Sequence, residues 1–129
     1  MQQAVVAVVR LGERVLMVQR GAGLRFAGYW QPLSGRLEPG ETQAEAVVRE
    51  AREEVGLAVR ALRKVWECPA DGADFVLHWW LAEPQGERLE PDLEEIADAR
   101  WLTLEEIRAL PRSFAGDREF FERIFPSLG

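Results

Sequence analysis

The sequence is short of several residue types that usually signal function. It has one cysteine, Cys68, which cannot close an internal disulfide and has no Cys or His neighbour at metal-ligand spacing. A disulfide scaffold, a zinc site and a thiol mechanism are therefore unsupported, and a reducing cytoplasm is the expected compartment. The single histidine, His78, sits in a strand-like run, where a hydrogen-bonded structural role is the simpler reading. No apolar stretch approaches the ~20 residues of a membrane span. The start, Met1-Gln2-Gln3 before a short apolar run, lacks the basic segment and cleavage site of a secretory signal. There is no glycine-rich phosphate loop ending in lysine. Nor is there an excess of positive charge: 16 Lys and Arg stand against 22 Asp and Glu, a net charge of −6. Long or duplex nucleic acid needs a basic surface, so it is not an expected partner. Any phosphate-bearing ligand requires a local source of positive charge.

What is present is a core. With 129 residues, 47% of them hydrophobic, the chain is expected to fold as one domain over residues 1–129, without repeats or low-complexity tracts. Ala4–Arg10 and Val15–Arg20 read as a β-hairpin turned at Gly12. Gly21–Gly28 reads as a loop, and Tyr29-Trp30-Gln31 as a short strand stopped by Pro32. Thr42–Val55 is the clearest helix, with Thr42 and Glu45 forming a capping box and Gly56 at the C-terminal stop. Its stripe is Ala44, Val47, Val48, Ala51 and Val55. Ala58–Trp66 and Asp74–Ala82 read as strands, with Trp79 on the face opposite His78 and Trp80. Glu83–Asp98 reads as an acidic loop and Ala99–Leu102 as a short strand. A second capping box at Thr103–Glu106 opens a helix to about Leu110, and Asp117–Phe125 is a last helix. This order predicts a mixed α/β layer arrangement with helices covering a sheet.

The Thr42 helix carries Glu50, Glu53 and Glu54, which share one face at i, i+3 and i+4. Like charges so placed repel, and a hard divalent cation such as Mg²⁺ or Mn²⁺ reverses that term. Spacing alone leaves a competing reading, a solvated acidic face tied by Glu45–Arg49 and Arg49–Glu53 pairs.

The flanking residues favour the first reading. Gly35, five residues, Glu41, seven residues, then Arg49-Glu50-Ala51-Arg52-Glu53-Glu54-Val55-Gly56-Leu57 closely resembles the Nudix box, G-x5-E-x7-R-E-U-x-E-E-x-G-U, where U is bulky and aliphatic. Ala51 at the first U position is the sole departure.

The resemblance implies an α/β/α sandwich in which a mixed sheet is flanked by helices and the box folds as loop–helix–loop. It implies Mg²⁺ (or Mn²⁺) held by Glu50, Glu53, Glu54 and the backbone carbonyl of Ser34 against a substrate diphosphate. It also implies that Arg49 pairs with Glu41 to orient Glu50, with Gly35 and Gly56 shaping the ends of the motif. The usual Pro-Gly-Gly is here Leu33-Ser34-Gly35. Glu95, or failing it Glu94, aligns with a loop glutamate found beyond the box in many members. The general base is left open among Glu53, Glu54 and Glu95.

The implied activity is hydrolysis of a pyrophosphate linkage in a nucleoside diphosphate joined to another group, with a nucleoside triphosphate as first choice. The family's side-signals for ADP-ribose and for dinucleotide polyphosphates, a Pro or Tyr beyond the box, are missing from Gly72–Phe75. The late asparagine often used to read oxidised guanine is missing too, since the chain contains no Asn. A non-catalytic nucleotide sensor and an RNA 5′-end hydrolase are the alternatives. Arg25 and Arg36 are candidates for phosphate or ribose contacts. Trp30 and Trp80, with Phe26, Tyr29, Trp66 and Phe114, are candidates for base stacking. Monomer and homodimer both remain compatible with the sequence.

Overall fold

Six successive residues, Ala4–Val9, are buried, so the first strand has no solvent face. A strand apolar on both sides belongs in the middle of a sheet covered twice. The computed structural model, which describes residues 2–70 and 74–128, shows this arrangement. Strand β1 (Gln2–Leu11) runs parallel to β6 (Phe75–Pro84), from Gln2 opposite Phe75 to Val9 opposite Ala82. On its other side β1 pairs antiparallel first with β4 (Leu33–Arg36) and then, at Arg10 and Leu11, with β2 (Arg14–Arg20). Strand β5 (Val59–Pro69) lies outside β6, while β2 also holds β3 (Trp30–Gln31) and β7 (Ile96–Thr103).

Alternation along β1 sorts the two cores. Val5, Ala7 and Val9 join Leu16, Val18 and Leu33 on one face, under Ala46, Val47, Ala51 and Val55 of helix α1 (Gln43–Val55). Val6 and Val8 join Val15, Met17, Trp79 and Leu81 on the other, under Ile107 of α2 (Leu104–Arg108) and under Phe120 and Phe121. Those two phenylalanines follow α3 (Ala115–Glu119) in a π-helical turn, Phe120–Ile124, which closes into a 3-10 turn at Phe125–Leu128. Trp79 stacks on Phe120 with centroids 4.3 Å apart. The result is the expected mixed α+β sandwich, and among the described residues no helix is long and apolar enough to cross a membrane.

Several local expectations hold. Gly12 turns the hairpin with φ 59°, both capping boxes form, and Gly56 ends α1 at φ 66°. Others are corrected. Leu33–Arg36 is a strand, because β1 supplies it with a partner. Ile96–Asp98 belong to β7, not to the acidic loop, since β2 pairs that far, through an irregularity at Gln19/Arg20. The buried stripe of α1 includes Ala46, while Ala44 and Val48 are only half-buried. The last helix starts at Ala115 and changes pitch at Phe120.

Candidate active site

Arg49 organises the site. Its Nε and one terminal nitrogen donate to both oxygens of Glu41, at 2.6 and 2.9 Å. The other terminal nitrogen donates to Glu50 at 2.7 Å and to Glu53 at 3.2 Å, and a further bond reaches the Arg36 carbonyl at 2.9 Å. These contacts use the guanidinium's five donors, a task lysine cannot reproduce. The bidentate partner holds the Glu41 carboxyl below its ordinary range, and the two acids raise the Arg49 pKa further. Glu41 also accepts from the Glu38 amide, so the loop before α1 is tied to the helix by one residue.

Glu50 points into a slot made by a missing side chain. Gly35 lies in β4 opposite Val5, and a Cβ there would overlap the Glu50 carboxyl group. Burial raises the Glu50 pKa, partly offset by Glu54 and Arg49. Beside it, Glu54 is pushed up to about 9, first by burial and then by the charge of Glu50, with smaller effects from Glu95 and Glu53. Its Oε2 is buried with no hydrogen-bond partner among the described residues. Glu53 is more exposed and turned toward Arg49.

The acidic segment is sewn onto this corner by its backbone. Glu90 N–H donates to Val55 O at 2.7 Å and Asp92 N–H to Glu54 O at 2.8 Å, satisfying carbonyls at the end of α1. On the far side Gly21 N–H donates to Glu95 O at 2.8 Å. Glu94 and Glu95 are both exposed, and Glu95 is the one whose charge reaches Glu54. Carboxylates gathered at the negative end of a helix dipole are poorly placed unless a cation joins them.

The donor set suits a hard divalent cation. It offers oxygen ligands only, one of them a buried oxygen without a partner. Among the described residues, however, no three acidic, His or Cys side chains are already drawn around one point. Both Glu50 and Glu53 are engaged by Arg49 instead.

A cleft of about 470 Å³ opens on the far side of β4. Ser34 and Gly35 form its border with the glutamates, and Arg20, Arg25 and Arg36 supply its cations. Phe26 and Phe114 form an aromatic wall. Arg25 and Arg36 thus fall where a ligand could meet them, and Trp30 and Trp80 do not. The Trp80 indole donates to Gln43 under α1 at 2.9 Å, and Trp30 packs against the opposite core with Arg100 over its ring. Phe75, Leu77 and the buried Asp117 also line the cleft and carried no signal in the sequence, because only the folded sheet brings them together. Of Gly72–Phe75, the window that lacks the family's Pro and Tyr, Gly72 and Ala73 lie outside the described residues.

Comparisons with known proteins place the chain in a family. The family model for the NUDIX domain matches residues 1–124, and the chain belongs to the Nudix family. It is 33% identical over 113 residues to the NAD-capped RNA hydrolase NudC of Stutzerimonas stutzeri, covering 84% of this chain and 38% of that protein. The NudC of Chromobacterium violaceum is 34% identical over 109 residues, covering 84% and 40%. The chain thus spans about two fifths of the length of these curated relatives. The solution structure of the Escherichia coli ORF135 protein superposes with a TM-score of 0.78 at 26% identity, over 99% of this chain and 90% of that one. The MutT protein from Methanosarcina mazei Go1 gives 0.83 at 23% identity, over 98% and 94%.

Proposed function

We propose that residues 1–129 act as one hydrolase domain that cleaves a pyrophosphate linkage in a nucleotide. Glu50, Glu53, Glu54 and the Ser34 carbonyl would hold Mg²⁺ or Mn²⁺, and the cleft would take the nucleoside. The observation that carries this reading is the buried, partnerless Oε2 of Glu54 beside Glu50, at the border of a cleft lined by arginines. When bound, the cation neutralises phosphate charge, stabilises the leaving oxygen and acidifies a water.

The remaining work falls to side chains. Arg49 fixes Glu50 in the Gly35 slot and keeps Glu41 and the loop in place. Burial holds the Glu54 carboxyl protonated, and a cation seated beside it would favour the carboxylate form that can accept a proton. We assign the Glu54 carboxylate as the group that takes the water's proton, a role worth ~10²–10⁴ in rate. Glu53 and Glu95 are the alternates for that step. Arg25 and Arg36 meet phosphate or ribose.

A nucleoside triphosphate or related nucleotide is the first substrate class. A second reading, a dinucleotide or a capped RNA 5′ end, is favoured by the NudC relatives and by three arginines gathered in one cleft of a net anionic chain. The test is mononucleotide or phosphate release from a panel of (d)NTPs, ADP-ribose, NAD, dinucleotide polyphosphates and NAD-capped RNA, with Mg²⁺ and with chelator. Turnover that chelator abolishes supports the reading. A panel bound but untouched in Mg²⁺ overturns it in favour of a nucleotide sensor.

A further inference from the structure

Phe26 is the one non-glycine with positive φ among the described residues, at 57°. A bulky side chain is disfavoured there, and such a residue persists only where its surroundings hold it. The surroundings do so here. Tyr29 N–H donates to Phe26 O at 3.1 Å, Gly28 N–H donates to Arg20 O at 2.9 Å, and Arg20 Nε donates to Arg25 O at 2.8 Å. The ring meets Phe114 edge-on at 5.1 Å and Tyr29 at 5.4 Å, and those two meet at 5.0 Å.

This construction does not bury the ring. Phe26 is 44% exposed, one of few large apolar residues left in water, and it lines the cleft beside the arginines. The Arg25 guanidinium carbon lies over the ring, 5.2 Å from its centroid, so the ring's π-face already takes part in a contact. A ring serving only to pack would have been turned inward, relieving both the strain and the exposure. The cleft's volume lies within the range of small-molecule sites.

We infer that Phe26 is a specificity-determining residue, the platform on which the substrate's nucleobase stacks, with Phe114 bracing it from the edge. This rests on the reading of the cleft as a nucleotide site and goes further by assigning the base-recognising residue. Stacking tolerates any base, because every base has a π-face, so the platform selects for the presence of a base more than for its identity.

The test is calorimetric binding, in Mg²⁺, of AMP, GMP, CMP and UMP, with ribose 5-phosphate as the base-free probe. Wild type, Phe26→Tyr, Phe26→Leu and Phe26→Gly are compared after thermal unfolding confirms that each is folded. Phe26→Leu keeps the apolar bulk without the π-face, and Phe26→Gly removes the ring while releasing the backbone strain. Both are expected to weaken the four mononucleotides by roughly 5- to 150-fold, the range of a base–aromatic stack, and to leave ribose 5-phosphate unchanged. Phe26→Tyr is expected to bind as wild type does. Equal loss for ribose 5-phosphate, no loss at all, or no mononucleotide binding by wild type would each overturn the inference. If the wild type turns over nucleotides in Mg²⁺ but its binding ignores Phe26, the hydrolase reading stands and the base platform falls. If binding depends on Phe26 and on the base but nothing is turned over, the platform stands and the hydrolase reading falls.

Discussion

Replacing Glu54 by glutamine separates what the residue does for the fold from what we propose it does for the reaction. In the cation-free protein the Glu54 carboxyl is pushed up to about 9 from an ordinary 4.5, chiefly because it is buried and secondarily because Glu50 is beside it. Above pH 4.5 the unfolded chain releases this proton while the folded chain keeps it. The folded state then binds more protons, so its stability falls with rising pH, by about 1.4 kcal/mol per pH unit, until pH approaches 9. At pH 7 the accumulated loss is about 3 kcal/mol, with little reduction for solvent screening at so buried a site. Glutamine does not titrate and keeps a similar shape. In urea unfolding with chelator, Glu54→Gln should match wild type near pH 4 and exceed it by about 1–3 kcal/mol at pH 7. Adding Mg²⁺ should reverse the order, because a ligand that binds only the folded state stabilises it. A variant less stable than wild type at pH 7 in chelator, or a difference independent of pH, would refute this reasoning.

Other consequences follow from the same contacts. Gly35→Ala should displace the Glu50 carboxyl and cost about 1–3 kcal/mol by thermal unfolding, with turnover lost. Gly23→Ala, whose added carbon meets nothing within 4 Å, is the control expected to behave as wild type in both assays. Arg49→Ala leaves Glu41 and Glu50 without their counter-charge and should cost about 3–5 kcal/mol in urea unfolding, with Arg49→Lys recovering only part. Thr42→Ala removes the capping-box acceptor and should cost about 1 kcal/mol while leaving hydrolysis measurable.

Much of the molecule was legible where a local rule decides the outcome. Thr42, Glu45 and Gly56 fix both ends of α1 by capping and a left-handed stop, and the unbroken apolar run Ala4–Val9 announces a strand with two covered faces. The box placed Arg49, Glu41, Glu50 and Gly35 near one another, and the folded chain joins them by contacts that spacing could not specify. Legibility failed where a distant partner decides. Leu33–Arg36 is a strand only because β1 lies beside it, and Ile96–Asp98 only because β2 extends that far. The competing pairing of Arg49 with Glu45 fails because Glu45 is taken by the Thr42 amide. Trp80 looked like a stacking residue until Gln43 claimed its indole, whereas Phe26 was one aromatic among six until its backbone conformation set it apart.

The acidity of the chain gains a partial explanation. Glu50 and Glu54 converge on one buried corner, and the backbone of the acidic segment caps the helix that carries them. The central claim is that this corner is a seat for a divalent cation, through which an anionic protein meets an anionic substrate. Titrating Mn²⁺ and following the free ion by electron paramagnetic resonance tests it most directly. Wild type should take up Mn²⁺, and Glu50→Gln and Glu54→Gln, each shown to be folded, should weaken that uptake by about tenfold or more. Equal uptake by all three proteins would contradict the claim.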